Sequence, residues 1–150
     1  MDFLPRLEEH ERRLSELYRT YGELFPAKKN FWLDLAQEEL GHALWLRNFG
    51  AKAKEGKLSF KKTKITAASV ETSLRHIDKQ LDLAKEGQVN LLGALATARD
   101  LENALIDNMA MAMVQSNEPL VKNLLDKLHL ESEQHRNRIA DELIEVKNKK

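Results

Sequence analysis

Residues 36–42 read Ala36-Gln37-Glu38-Glu39-Leu40-Gly41-His42 and interrupt a helical stretch whose apolar arc is otherwise Trp32, Leu35, Leu46 and Phe49. At about 100° per residue, Glu39 and His42 fall in the middle of that arc. A Glu and a His at i and i+3 lie roughly 60° apart and one turn along, close enough to bind the same ion. A lone carboxylate buried among leucines is costly, so such groups are protonated, paired or metal-bound. The reading of the chain turns on whether this pair stands alone.

Outward from it, Gly and Pro are sparse and the segments between them repeat near 3.6 residues, which predicts an all-α chain. A first helix is expected over residues 4–24, ended by Phe25-Pro26, and a second over 28–54, ended by Gly56. A polar loop over 57–64 follows, and Thr66 reads as the N-cap of a connecting helix carrying Val70, Leu74, Ile77, Leu81 and Ala84 and stopped by Gly87. Two further helices are expected over 90–115 and 119–147, with Ser116-Asn117-Glu118 as the turn and Pro119 at the first helical position. The short links make two antiparallel hairpins, and the long third connection contains a helix of its own. Among four-helix bundles, one long crossover is the ferritin-like connectivity, whose core can carry metal sites.

The other helices carry matching interruptions. Glu11 lies within the arc of Leu7, Leu14, Leu17, Tyr18, Tyr21, Leu24 and Phe25, with His10 on its flank; Glu16 lies opposite. Glu102 sits near the centre of the arc of Leu91, Leu95, Ala98, Leu105, Ile106, Met109 and Met113. Glu131, Ser132, His135 and Glu142 lie within or beside the arc of Leu124, Leu128, Ile139 and Val146, and Glu131 and His135 stand at i and i+4. Glu39 follows Pro26 by thirteen positions and Glu11 precedes it by fifteen, a mismatch of about 3 Å along the axes. Glu16 mismatches about equally in the other direction; the stripe selects Glu11.

Composition narrows the chemistry. The 150 residues suit one domain, 1–150, and a chain of this size buries roughly 70% of its unfolded surface, enough for a core without disulfides. With no Cys, thiolate metal sites, iron–sulfur clusters and cysteine nucleophiles are excluded, leaving Asp, Glu and His as strong ligands. The 24 basic and 24 acidic residues cancel, so nothing global points to nucleic acid. No apolar run approaches the roughly 20 residues that span a bilayer, and the acidic start is unlike a signal peptide, so a soluble, cytoplasmic protein is expected.

With Glu11 seven residues before Tyr18, the segment 36–42, Ala98-Arg99-Asp100-Leu101-Glu102, and Glu131 with His135, nearly the whole chain resembles the rubrerythrin-like branch of the ferritin-like superfamily. The resemblance implies a carboxylate-bridged pair of iron ions, reduced to the ferrous state and reoxidised by peroxide or dioxygen. It implies Glu11 and Glu102 as terminal ligands, Glu39 as a bridge, and His42 and His135 as nitrogen ligands. The sequence departs from the pattern at Ser132, where the family has its second bridging Glu, so Glu131 must substitute or the site is incomplete. Leu105 replaces an extra carboxylate of the family. Rubrerythrins also carry a four-cysteine module for electron delivery; an enzyme without Cys needs an external electron donor.

Other readings stand beside this one. The same polar residues could form a hydrogen-bonded cluster without metal, or a non-enzymatic metal carrier or interaction module binding one ion such as Zn²⁺ or Mn²⁺. Glu142 is expected to pair with Arg138, Tyr18 to fill the core or bond a ligand carboxylate, and His76 and His129 to have no role. Lys52, Lys54, Lys57, Lys61, Lys62 and Lys64 read as a solvated cluster. Leu33, Leu40, Leu44 and Trp45 give the second helix another apolar side, which predicts partial cover by the crossover helix and a homodimer interface over the rest.

Overall fold

A computed structural model describes residues 3–55, 68–116 and 118–149. The polar loop expected over 57–64, the Thr66 cap and most of the lysine cluster lie outside the described residues. Five α-helices are seen: α1 (Phe3–Leu24), α2 (Lys29–Glu55), α3 (Ala68–Lys85), α4 (Leu91–Gln115) and α5 (Pro119–Asn148). A 3-10 turn at Pro26–Lys28 joins α1 to α2. The described residues contain no strand.

Local chemistry sets the ends. Gly87, at φ 70°, terminates α3: its N–H donates to the Ala84 carbonyl and the Gln88 N–H to that of Leu83, the paired bonds of a Schellman cap. Asn90 caps α4, its side chain accepting from the Gly93 N–H at 2.7 Å. Pro119 opens α5, where a missing N–H costs nothing.

α1 and α2 pack closely, as do α4 and α5, forming the two expected hairpins, and α3 lies against α1 and more lightly against α4. The exposed Leu40 and Leu44 of α2 therefore keep the outward face on which an interface was expected.

The core is divided. One apolar cluster gathers around Leu14, Tyr18, Trp32, Ile77, Leu95 and Ile139, and a second around Leu7, Leu46, Leu74, Leu105, Met109 and Leu128. Their memberships show α1, α3 and α5 running one way and α2 and α4 the other. Within each main helix the buried positions advance in alternating steps of three and four, such as Leu4, Leu7, Glu11, Leu14, Tyr18 and Tyr21 on α1. The polar side chains occupy that same series at mid-length: Glu11, then Glu39 and His42, then Glu102, then Ser132 and His135. A polar layer thus separates two apolar halves, each buried side chain of which contributes roughly 1.5–3 kcal/mol.

Candidate metal centre

The layer is built from the hairpins inward. On α1, Glu11 is 2% exposed; on α2, Glu39 is wholly buried and His42 faces both carboxylates, its Nδ1 lying 3.0 Å from Glu11 Oε2 and 3.5 Å from Glu39 Oε2. One turn away the Ser15 hydroxyl donates to the Ala36 carbonyl at 2.7 Å, fixing α1 against α2 beside these residues. From the second hairpin, buried Glu102 of α4 and His135 of α5 enter. His135 Nδ1 is 2.6 Å from Glu39 Oε1 and 3.7 Å from Glu102 Oε1. The two imidazole rings stack, with centroids 5.4 Å apart.

Two groups of donor atoms result, Glu11–Glu39–His42 and Glu39–Glu102–His135, each with its donors within 4.8 Å of one another, and Glu39 belongs to both. Glu11 Oε1, Glu39 Oε2, Glu102 Oε2 and the Ser132 hydroxyl are buried without a hydrogen-bond partner among the described residues. Buried oxygens are ordinarily satisfied, so their convergence here fits a cation. Carboxylate oxygen with imidazole nitrogen suits iron, manganese or zinc, and the geometry alone does not choose among them.

The electrostatics agree. Burial, with the charges of Glu11 and Glu102, raises Glu39 well above the carboxylate range, so its charged form is disfavoured. Burial opposes ionisation of Glu11, but Glu39, His10 and His42 beside it outweigh that and hold it far below its usual range. Burial likewise opposes charge on the histidines, yet Glu11 and Glu39 push His42 up to about 12, and Glu102 and Glu39 push His135 up to about 10. Protons thus provide the positive charge that the carboxylates require, and a bound cation would displace them.

Of the residues singled out in the sequence, Glu11, Glu39, His42, Glu102 and His135 come together and Glu131 does not join them. Its side chain is 31% exposed and meets His42 from the far side, Oε1 to Nε2 at 3.3 Å. Ser132 is 1% exposed, inside the layer three residues before His135, as Glu39 stands three before His42. Leu105 is buried in the second apolar cluster. Glu16 is exposed, as is His76, and His129 pairs locally with Glu133.

The pairing expected between Glu142 and Arg138 is not formed. Glu142 pairs with Lys28 at 2.5 Å, and Arg138 reaches across to Glu38 of α2. The i, i+4 rule considers one helix alone, and each side chain found an opposite charge on α2 or the turn before it. Two features, at His10 and Glu38, escaped the sequence reading, and a third settles which of two roles left open Tyr18 takes. Tyr18 donates to Glu102 Oε1 at 2.9 Å, and burial and the nearby carboxylates raise its phenol well above its usual range, so it stays a donor. His10 is wholly buried and turned to α3, with Nε2 2.7 Å from the Ser73 hydroxyl. Glu38 sits beside His135, and its place four residues before His42, matching that of Glu131 before His135, was the available signal.

Compared with family models, curated proteins and solved structures, the chain matches none.

Proposed function

We propose that the chain is a ferritin-like metalloprotein binding iron, as a pair, through Glu11, Glu39, His42, Glu102 and His135. The observation that carries this reading is the sharing of Glu39 between two buried donor groups, because one carboxylate with an oxygen toward each group is suited to bridge two ions. Glu11 and Glu102 would bind from the outer sides, one from each hairpin. When bound, the two irons would supply one electron each to peroxide or dioxygen. The protein's part is to keep the donors in a dry layer between two apolar clusters, to release the protons of His42 and His135 on loading, and to hold Glu102 by the Tyr18 hydroxyl. Turnover would draw electrons from an external donor. The test is anaerobic Fe(II) titration followed by peroxide, with absorbance followed in time. Two irons per chain, oxidised rapidly, is the expected result; one or none overturns the paired reading.

A second reading is favoured by one residue. Ser132 leaves the second hairpin a ligand short, and a centre with one strong site would serve as a Zn²⁺ or Mn²⁺ carrier without redox chemistry. A homodimer through the exposed Leu40 and Leu44 is part of either reading; a concentration-independent monomeric mass would remove it.

A further inference from the structure

Outside the two donor groups, the seam between α2 and α5 repeats one arrangement twice. Both histidines turn Nδ1 inward to the carboxylates and Nε2 outward to the seam, where each meets a half-exposed glutamate. His42 Nε2 lies 3.3 Å from Glu131 Oε1, and His135 Nε2 lies 3.5 Å from Glu38 Oε1. The contacts cross between helices: Glu38 precedes His42 by four residues but serves His135, and Glu131 precedes His135 by four but serves His42. Antiparallel packing explains the crossing, because the residue one turn before a histidine on one helix comes level with the histidine of the other.

We infer that Glu131 is a positioning residue, which holds the His42 imidazole by its outer nitrogen and leaves Nδ1 facing the centre, while Glu38 acts on the outer nitrogen of His135 more weakly, by charge. A carboxylate at Nε2 accepts its N–H, fixes the ring's rotation and tautomer, and makes the inner nitrogen the ligand. The inference rests on the metal-centre reading and gives Glu131 a task other than ligation.

The two glutamates differ in grip. Glu38 also accepts from Arg138 at 2.9 and 3.1 Å and stands slightly too far from His135 for a hydrogen bond. Among the described residues Glu131 has no Lys or Arg partner and is hydrogen-bonded to His42. Removing Glu131 therefore disturbs the centre more than removing Glu38.

The probe is Co(II) alone, titrated into the full chain, with the ligand-field spectrum recorded. Glu131→Ala should weaken binding roughly 10- to 100-fold with the number of ions per chain unchanged, as losing an outer carboxylate does elsewhere. Glu131→Gln should restore part of the affinity, because its amide oxygen still accepts from Nε2–H. Glu38→Ala should have the smaller effect. In the metal-free protein, histidine ring-nitrogen NMR should show the His42 Nε2–H signal altered by Glu131→Ala. Loss of a whole ion in Glu131→Ala, without rescue by Gln, would make Glu131 a ligand and overturn the inference. So would unchanged affinity with an unchanged ring signal. A wild-type chain that takes up no Co(II) would remove the metal-centre reading and this inference together, whereas binding indifferent to Glu131 removes this inference alone.

Discussion

In the first hairpin, two helices in close contact supply a complete set of donors, Glu11 from α1 and Glu39 with His42 from α2. In the second hairpin, α4 and α5 supply Glu102 and His135, but position 132, the counterpart of Glu39, is a serine. The second group is completed only by borrowing Glu39 across the bundle. This inequality has an electrostatic reason as well as a cost. A fourth carboxylate in the layer would add charge to a site where burial and its neighbours already raise Glu39 well above the carboxylate range, so Ser132 eases the metal-free fold and leaves the second group a donor short.

The sharpest way to break the comparison is at the shared residue. Glu39→Ala removes the donor oxygens that face both groups at once, and metal content should fall to near zero. Its affinity loss should exceed the roughly 10- to 100-fold expected when only an outer partner is lost. His42→Ala and Glu102→Ala should each damage one group and leave the other able to bind, and metal analysis of the three purified proteins separates the cases. Equal, partial losses in all three would mean that Glu39 is not shared.

Ser132→Glu makes the halves alike and should act in opposite directions on the two states. Without metal, another buried carboxylate with no counter-ion should destabilise the fold by roughly 3–5 kcal/mol. With Fe(II) or Zn(II) bound, the added ligand should recover that loss and raise the number of ions bound per chain. Thermal melts with and without metal check both parts; a variant equally stable with and without metal would show that position 132 does not face the ions.

The helices and hairpins were legible because helix periodicity and punctuation act locally: Pro26, Gly87 and Pro119 each sit where a segment ends or begins. The inward carboxylates were legible for the same reason, since Glu11, Glu39 and Glu102 occupy steps of an apolar stripe. What one stripe cannot give is the partner across the bundle. Glu131 and Glu39 both lie near a histidine along their own helices, yet only Glu39 points inward; whether Glu131, at the edge of the buried arc, turns to the core or to the seam is decided by how α2 and α5 face each other. Arg138 choosing Glu38, and Tyr18 reaching Glu102, are likewise long-range pairings.

The halves should also differ in how they hold protons. In the metal-free chain His42 is pushed up to about 12 and His135 to about 10, so on raising the pH His135 should lose its proton first. Both folded values exceed that of an unfolded histidine, about 6.5. Their contribution to stability is therefore full below about pH 6.5, declines as the pH rises, and is gone once the pH passes the folded values. Denaturant titrations of the metal-free protein from pH 6 to 10 should show falling stability, while metal affinity rises over the same range because ions compete with protons. Affinity independent of pH would mean that the ions do not replace these protons.

The smallest expected effect comes from Tyr18→Phe, which touches only the second group. Its hydroxyl is the sole hydrogen-bond donor shown to Glu102, whose other oxygen has no partner among the described residues. Its ring is locked from below, 5.6 Å centroid to centroid from Trp32, so Phe would keep the packing and lose only the hydroxyl. Leaving a buried acceptor unsatisfied costs roughly 1–3 kcal/mol. At roughly 2–4 °C per kcal/mol for a chain of this size, a melt of the metal-free protein resolves it. The loss should appear at the Glu102 side alone, leaving the His42 ring-nitrogen signals in place and moving those of His135, which shares Glu102 Oε1 with the tyrosine. If both histidines move equally, the two groups form one coupled unit and the inequality set by Ser132 is averaged across the layer.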